Sequence, residues 1–384
     1  MSACMVCSST DLRPVLRIDS APVLINQLSS TREEALAAPC GPIELVYCPS
    51  CGHLFNGSFE ASLVQYGPDY ENSLHHSGRF RAFATELVGS LVQRHSLEGK
   101  LAIEVGCGSG DFLRELCETA GCKGLGFDES YRGPEQPAEG LRFSRGSFFE
   151  SEGEPTALLC NRHVLEHVDD PPGFLGGISR RLEAQGGAGL YIEVPSSLYT
   201  LRDLGIWDII YEHPSYFSPD SLRHAACAAG LEVLEVEESF GAQFLSMHAR
   251  AGSVPAERSA APVDLELDGL VSSFSESYRQ KTGEWKGRLT EAAAAGQRVA
   301  VWGAGSKGST FLNVVDPDGA VSCIVDLNPL KEGKFVAGSG HEIVAPERLR
   351  TLRPELVVLM NPVYEAEVSA MLSDLSPGST LLLA

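Results

Sequence analysis

The chain has 384 residues, of which 43% are hydrophobic and 21% are charged, so it is long enough for two or three globular domains. Its 51 acidic and 30 basic residues give a formal net charge of −21, which disfavours nucleic acids and anionic membranes as main partners. No apolar run reaches bilayer length and the first ten residues lack a secretory pattern, so we expect a cytoplasmic protein.

Four of the eleven cysteines form two short pairs, Cys4 with Cys7 and Cys48 with Cys51. Two intervening residues let two thiolates converge on one ion, and two such turns complete a tetrahedral zinc site. Disulfide pairing is the alternative, and the expected location disfavours it. Because four thiolates leave no open coordination position, the sequence predicts a structural Zn²⁺ ion in a small N-terminal domain, residues 1–62.

The middle of the chain alternates short apolar strands with amphipathic helices, which is typical of a doubly wound α/β domain. A helix is predicted at residues 80–96, and strands are predicted at Leu101–Val105, Gly124–Phe127, Ala157–Asn161, Gly189–Val194, Leu231–Val236 and Phe244–Arg250. An Ala-, Ser- and Pro-rich stretch at residues 251–262 marks a boundary, and a second alternating stretch follows it. We therefore predict a catalytic α/β core at 63–252 and a Rossmann-like α/β domain at 253–384.

A glycine-rich turn follows the first predicted strand of the core, in the fragment IEVGCGSGDFL at residues 103–113. Gly106, Gly108 and Gly110 allow a ligand to approach the backbone closely. A dinucleotide site is the alternative, but such sites usually need GxGxxG. Glu104 before the turn can meet a cationic group and would repel a pyrophosphate. The fragment is similar to the S-adenosylmethionine motif of class I methyltransferases.

Three later fragments fall where this resemblance implies further cofactor contacts. Asp128, at the end of the second strand, is expected to bind the two ribose hydroxyls. Ser147 and Phe148 lie where the adenine ring is commonly flanked, and Asn161 opens a segment that lies over the cofactor in this fold. The order of the fragments predicts an S-adenosylmethionine-dependent methyltransferase with a class I Rossmann-like core.

The order of the cysteine pairs, a tyrosine-rich segment, this core and a trailing Rossmann-like domain resembles the sugar C-methyltransferase family over essentially the whole chain. The best local matches are YEHPSYFS at residues 211–218, GAGSKG at 303–308 and DLNP at 326–329. The resemblance implies methylation of a carbon beside the keto group of a nucleotide-linked deoxysugar. It also implies that the C-terminal domain helps to hold the nucleotide.

Methylation at such a carbon requires a base that removes a proton and a group that stabilises the enolate. The resemblance implies that His213 is the base, that Glu212 orients nearby groups and that His167 bonds a substrate or enolate oxygen. Tyr70 corresponds to one family tyrosine, whereas Ile210 replaces another. This departure leaves the substrate and the methylated atom open, and a purely structural role is the alternative for both histidines.

Substrate contacts are predicted at Tyr211 and in the C-terminal glycine-rich turn. Gly303, Gly305 and Lys307 would cradle a phosphate at the start of a helix, and Asp326 would recognise a ribose. NAD binding and a turn without any ligand are the alternatives for this motif.

The expected partner is a small molecule, a nucleotide-linked keto sugar, bound by a monomer or small homo-oligomer. The alternative function is O- or N-methylation of another natural-product intermediate, with His213 deprotonating a hydroxyl or an amine. A catalytically silent scaffold is disfavoured because the glycine turn and the catalytic candidates are intact.

Overall fold

The computed structural model describes residues 3–67, 69–151, 153–185, 187–252, 265–316 and 319–384. The predicted domain boundary after residue 252 therefore lies next to residues 253–264, which are outside the described part of the chain. None of the helices within these ranges is long and apolar enough to cross a membrane.

The N-terminal part is an antiparallel sheet that includes one strand from the middle of the chain. Its elements are β1 (Arg13–Pro22), β2 (Leu28–Ser29), α1 (Arg32–Leu36), β3 (Cys40–Cys48) and β4 (His53–Asn56). The sheet order is β1, β3, β4 and then Ser215–Tyr216, which lies only two residues after His213. The short β2 pairs instead with Phe335–Val336 near the other end of the chain. The N-terminal part is therefore hydrogen-bonded to both of the parts that follow it.

The central part is a seven-stranded sheet with helices between its strands. Its elements are α2 (Gly78–His95), β5 (Leu101–Val105), α3 (Asp111–Ala120), β6 (Lys123–Phe127), β7 (Leu141–Ser144), β8 (Leu158–Arg162), α4 (Pro171–Ala184), β9 (Gly189–Pro195), α5 (Ser197–Leu201), β10 (Ser215–Tyr216), α6 (Pro219–Ala228), β11 (Leu231–Ser239) and β12 (Phe244–Ala251). The sheet order is β11-β12-β9-β8-β5-β6-β7. Strand β12 runs antiparallel to both of its neighbours, β11 and β9, and the other neighbouring pairs are parallel. In a sheet of this kind ligands bind beyond the carboxyl ends of the parallel strands.

The C-terminal part is a second α/β unit, as the sequence predicts. Its elements are α7 (Leu265–Ala294), β13 (Val299–Trp302), α8 (Ser306–Val315), β14 (Val321–Val325), β15 (Phe335–Val336), β16 (Ile343–Val344), α9 (Leu349–Leu352), β17 (Leu356–Leu359), α10 (Glu365–Leu375) and β18 (Thr380–Leu383). Five of these strands form a parallel sheet in the order β16-β14-β13-β17-β18.

One core of buried side chains spans all three parts. It joins Tyr47 of the N-terminal sheet, Trp207 of the central part, and Phe274 and Phe311 of the C-terminal part. Trp207 lies edge-on to Phe311, with 5.0 Å between the ring centroids. Full burial of a side chain such as Phe311 stabilises the fold by about 1.5–3 kcal/mol. This shared core holds the three parts in one arrangement around their junction.

Candidate active site

The glycine turn of the central domain combines tight packing with one open position. Gly106, Gly108 and Gly110 all have positive φ, at 78°, 52° and 81°. A Cβ atom on Gly106 would overlap the side chain of Val164, whereas one on Gly108 would have no neighbour within 4 Å. Gly106 is therefore required by packing, and Gly108 borders the space in which a ligand can approach the backbone.

Asp128 lies at the end of β6 and is bonded to this turn. Its Oδ2 accepts the Gly108 N–H at 2.8 Å, and its Oδ1 accepts the backbone N–H and the hydroxyl of Ser130. A carboxylate has about four acceptor sites and three are used here, so about one is left for a ribose. The structure thus adds a role that the sequence did not predict, because Asp128 also holds the glycine turn in place.

Replacing Asp128 with alanine is expected to weaken S-adenosylmethionine binding by about 1.5–3 kcal/mol per lost charged hydrogen bond, or roughly 10- to 150-fold. Isothermal titration calorimetry measures this directly. Glu129→Ala, which removes an exposed acid one residue away, is the matched control and should bind normally. Unchanged affinity in the Asp128 variant would remove this residue from the cofactor site.

Glu104 and Asn161 lie on the neighbouring strands β5 and β8, and each has an unpartnered acceptor. Both are buried, and neither Glu104 Oε2 nor Asn161 Oδ1 has a hydrogen-bond partner among the described residues. Burial raises the pKa of Glu104 to about 8, although the nearby Arg162 opposes this shift. Unsatisfied acceptors of this kind are suited to a cationic donor, such as the ammonium of S-adenosylmethionine. These residues therefore fit the cofactor that the sequence indicates.

Ser147 and Phe148 begin a short 3-10 helix at residues 148–150. The Ser147 hydroxyl accepts the Phe149 N–H at 3.2 Å and so caps that helix. Phe148 is only 3% exposed, lies edge-on to Phe127 and is covered by Arg181. This ring therefore packs in the core and offers little surface in this structure, and the adenine contact of Phe148 stays a prediction.

A second cluster forms where the central part meets the N-terminal part, and it contains His167 and His213. Their rings lie edge to face, with centroids 4.6 Å apart. His167 Nδ1 lies 3.0 Å from the Glu212 carbonyl oxygen and 2.8 Å from the Tyr66 hydroxyl. Tyr66 in turn lies edge-on to Tyr70, with centroids 4.9 Å apart. The structure therefore brings together all four predicted catalytic residues and adds Tyr66, which the sequence analysis did not select.

The surroundings of His213 disfavour its charged form. Burial lowers its pKa well below 6.5, and the nearby His167, His163 and Lys307 lower it further. Glu212 is buried as well, and burial raises its pKa to about 8. Its Oε1 accepts the Ile25 N–H at 3.1 Å, so the carboxyl points to the N-terminal part. At neutral pH this leaves an uncharged imidazole beside a largely protonated carboxyl.

A buried chain of alternating charges runs beside the two clusters. Arg162 donates to Glu193 Oε1 from Nε at 3.0 Å and from Nη2 at 2.7 Å. His163 Nε2 lies 3.1 Å from the same oxygen, and His163 Nδ1 lies 3.5 Å from Glu166. Burial disfavours a charged His163, but the contacts with Glu166 and Glu193 outweigh it and raise the pKa of His163 to about 9. The sequence analysis did not predict this network of charges, because its contacts depend on side-chain direction.

The C-terminal glycine turn repeats the construction of the cofactor turn. Asp326 Oδ2 accepts the Ala304 N–H at 2.8 Å, as Asp128 does with Gly108. Gly303 has a φ of 107°, and a Cβ atom added to Gly305 would meet no atom within 4 Å. The turn leads into α8, whose first N–H groups have no side-chain cap. Such a helix start can bind an anion.

The start of α8 also lies at the junction of the three parts. Ser306 accepts a hydrogen bond from Asn26 Nδ2 at 3.0 Å, and Lys307 forms a 2.7 Å ion pair with Asp208. The charge of Lys307 is close enough to His213 to lower the pKa of that histidine. Lys307, which the sequence predicts as a phosphate ligand, is thus brought beside the catalytic cluster.

Tyr211 lies inside the protein. It is fully buried, its ring packs against Phe59 and Gly41, and its hydroxyl accepts the Glu60 N–H at 3.0 Å. These contacts give Tyr211 a packing role, and its substrate contact stays a prediction.

The four predicted metal ligands converge at the edge of the N-terminal sheet. Cys4, Cys7, Cys48 and Cys51 each place a sulfur within 4.8 Å of the other three. The Cys4–Cys51 and Cys7–Cys48 sulfurs are 3.7 and 3.5 Å apart. Zinc–sulfur bonds of about 2.3 Å in a tetrahedron place sulfurs about 3.8 Å apart, so the cluster fits a zinc ion.

Comparison with known proteins agrees with this geometry. Residues 79–236 match a family described as a methyltransferase domain, and residues 258–381 match the C-methyltransferase C-terminal domain. The C-methyltransferase NovU of Streptomyces niveus is 26% identical over 388 residues, which cover 95% of this chain and 90% of NovU.

Solved structures were also compared with the chain. The match with an S-adenosylmethionine-dependent methyltransferase from Mesorhizobium loti covers 45% of this chain and 100% of the solved chain, with 17% identity and a TM-score of 0.37. A putative methyltransferase complex of Haloferax volcanii with the activator Trm112 matches 45% of this chain and 97% of the solved chain, with 20% identity and a TM-score of 0.35. The two family matches, in order along one chain with the cofactor turn between β5 and α3, lead to one assignment: this protein is an S-adenosylmethionine-dependent methyltransferase and belongs to the C-methyltransferases.

Proposed function

We propose that the protein methylates a carbon beside the keto group of a nucleotide-activated deoxysugar, and that His213 is the general base. The observation that carries this proposal is the neutral, buried imidazole of His213 between the cofactor domain and the start of α8. An imidazole must be unprotonated to accept a proton, and a carbon acid needs a base within reach.

The residues of the cluster have different roles in forming an enolate. His213 takes the proton from the carbon, and the electrons of the broken C–H bond move onto the carbonyl oxygen. The hydroxyls of Tyr66 and Tyr70 and the His167 ring are the candidate donors that stabilise this oxygen. Bound S-adenosylmethionine would supply an electrophilic methyl group, and Glu104, Gly108, Asp128 and Asn161 would hold it.

The C-terminal part supports a nucleotide as the activating group. A cleft of about 410 Å³ adjoins Lys307 and is lined by the cations Lys281 and Arg288. Cations with a helix start suit phosphates. The match to a C-methyltransferase C-terminal domain also favours substrate binding here over NAD.

The proposed substrate can be tested by incubating the protein with a ¹³C-methyl donor and a panel of nucleotide keto sugars. NMR of the product then locates the label. Matched sugars in which the keto group is reduced are the control, and they should not react. A label found on oxygen or nitrogen would instead support the alternative, O- or N-methylation, with the same histidine deprotonating a hydroxyl or an amine.

Replacing Lys307 with methionine is expected to weaken binding of a nucleoside diphosphate by about 10-fold or more, since a charged hydrogen bond contributes about 1.5–3 kcal/mol. Affinity for S-adenosylmethionine should not change. Lys286→Met, an exposed position on α7, is the matched control. Calorimetry that finds equal nucleotide affinity in both variants would remove Lys307 from the substrate site.

We also propose that the four-cysteine cluster holds a structural Zn²⁺ ion. The sulfur separations support this, as does the lack of an open ligand position. The ion would fix residues 4–7 against the turn after β3, and it would take no part in methyl transfer.

A further inference from the structure

We propose that Glu166 is a positioning residue for the catalytic base, holding the His213 ring and stabilising the imidazolium that forms when this ring takes the substrate proton. The inference rests on the proposed function of His213. Neither the cofactor motif nor the substrate motifs of the sequence include Glu166.

The position of the Glu166 side chain is the first argument. It lies in the short 3-10 helix at Leu165–His167, directly after β8, and is only 2% exposed. Glu166, His167 and His213 each offer a ligand atom within 4.8 Å of the other two. The second carboxylate oxygen, Oε2, has no hydrogen-bond partner in the part of the chain that the structure describes. A buried acceptor without a partner is costly unless some step of the reaction supplies a donor.

The charge around Glu166 is the second argument. His163 lies against its other oxygen, Oε1, at 3.5 Å, and this histidine carries a proton at neutral pH because its pKa is raised to about 9. His163 also has a φ of 54°, which is unusual for a non-glycine residue, and its N–H donates to the Glu193 carbonyl at 2.8 Å. Strained backbone of this kind often marks a functional site.

Glu212 is the other buried glutamate at the cluster, and it is less suited to this task. Its Oε2 is also without a hydrogen-bond partner among the described residues, but its Oε1 is used by the Ile25 N–H and its contact with His167 is made through the backbone carbonyl. Because its pKa is raised to about 8, it is mostly uncharged at neutral pH. An uncharged carboxyl gives little stabilisation to an imidazolium, so the anionic partner must be another residue.

A divalent metal ion is a competing occupant of the Glu166, His167 and His213 group. The imidazolium of His163 lies close by and would repel such an ion. A metal-bound His213 also could not accept a proton. The electrostatics therefore favour a proton on His213 as the positive charge that faces Glu166.

The proton balance of the step is complete without any additional reactant. The C–H bond of the substrate breaks and the proton moves to His213. Bound S-adenosylmethionine would give its methyl group to the carbon, with the S–CH₃ bond breaking and S-adenosylhomocysteine as the leaving group. During this interval the free oxygen of Glu166 can accept a hydrogen bond from the new imidazolium N–H. When the product leaves, the proton returns to water and Glu166 loses that donor.

The test is the pH dependence of turnover in Glu166→Gln, measured with the keto sugar identified above. Loss of the anion should lower kcat about 10- to 100-fold, on the scale of general-base effects. It should also move the acid limb of the pH profile to lower pH, because an imidazolium without its anion releases its proton more easily. Affinity for S-adenosylmethionine should be unchanged. Glu166→Asp, which keeps the charge, should retain the wild-type limb, and Glu183→Gln on the exposed face of α4 is the control.

Three outcomes would overturn the inference. The first is an acid limb in Glu166→Gln that coincides with the wild-type limb, and the second is a limb that shifts equally in Glu166→Asp. The third is metal analysis that finds an equivalent of metal bound by wild type but absent from both Glu166→Gln and His213→Ala. Failure of the underlying function is distinguishable, because an active His213→Ala variant would reject the base itself, whatever Glu166 does.

Discussion

Replacing His213 with alanine is expected to lower turnover by about 10²–10⁴-fold while leaving the affinity for S-adenosylmethionine unchanged. Cofactor affinity should not change because of where His213 lies, between β10 and the His167 ring. The residues proposed to bind the cofactor lie within or just after β5, β6 and β8. Single-turnover kinetics measure the rate, and calorimetry measures cofactor affinity. An alanine variant with near-normal turnover on the true substrate would reject His213 as the base.

The pH dependence of wild-type turnover is a second test of His213 as the base. His213 must be neutral to accept a proton, and its pKa lies well below 6.5 because of burial and its charged neighbours. Activity should therefore rise with pH through this lowered pKa and be fully developed by neutral pH. An acid limb above 6.5 would contradict the assignment.

Deuterium exchange separates deprotonation from methyl transfer. In D₂O, with substrate and S-adenosylhomocysteine, the wild type should exchange the proton beside the carbonyl. His213→Ala should abolish this exchange, whereas Tyr70→Phe should only slow it if the phenol steadies the enolate. Normal exchange in the alanine variant would move the base elsewhere, and His167 is the first alternative because its ring adjoins His213.

Replacing Cys48 with serine is expected to remove most of the zinc from the full-length protein and to loosen its N-terminal sheet. Structural zinc contributes about 10–16 kcal/mol in small domains that fold around it, so loss of one thiolate should have a large effect. Inductively coupled plasma mass spectrometry measures the metal, and hydrogen exchange of β1, β3 and β4 measures the loosening.

Cys40→Ser is the matched control for the metal experiment. Cys40 is exposed, lies at the first residue of β3 and is not one of the four clustered cysteines. The control protein should keep its zinc and its exchange protection. Freshly purified wild type that contains no zinc, in the absence of chelator, would reject the metal proposal.

The elements of the two α/β parts follow from local patterns, and the sequence was sufficient for them. All six strands predicted in the central part are present, with ends that differ by at most three residues. The cysteine pairs were also informative, because a two-residue spacing already brings two sulfurs together. Strand periodicity and short-range spacing are encoded within a few residues, so they can be read without a structure.

The junction could not be predicted in this way, because its contacts join distant residues. Ile25 donates to Glu212 and Asn26 donates to Ser306, across separations of 187 and 280 residues. The burial of Phe148 and Tyr211 was not predicted for the same reason. Motif position indicated that these aromatic residues lie near a ligand, but only tertiary packing decides whether a ring faces a ligand or the core.

The pairing of β10 with β4 has a consequence for protein engineering. Because Ser215–Tyr216 forms the edge of the N-terminal sheet just after His213, the catalytic loop and that sheet act as one structural module. A chimaera that exchanges only the N-terminal region between two such enzymes would give this loop a foreign docking strand. A graft that carries residues 206–218 together with the N-terminal region would keep the pairing intact. Recombination breakpoints chosen for substrate range should therefore follow the strand pairing, even where it departs from the linear domain order.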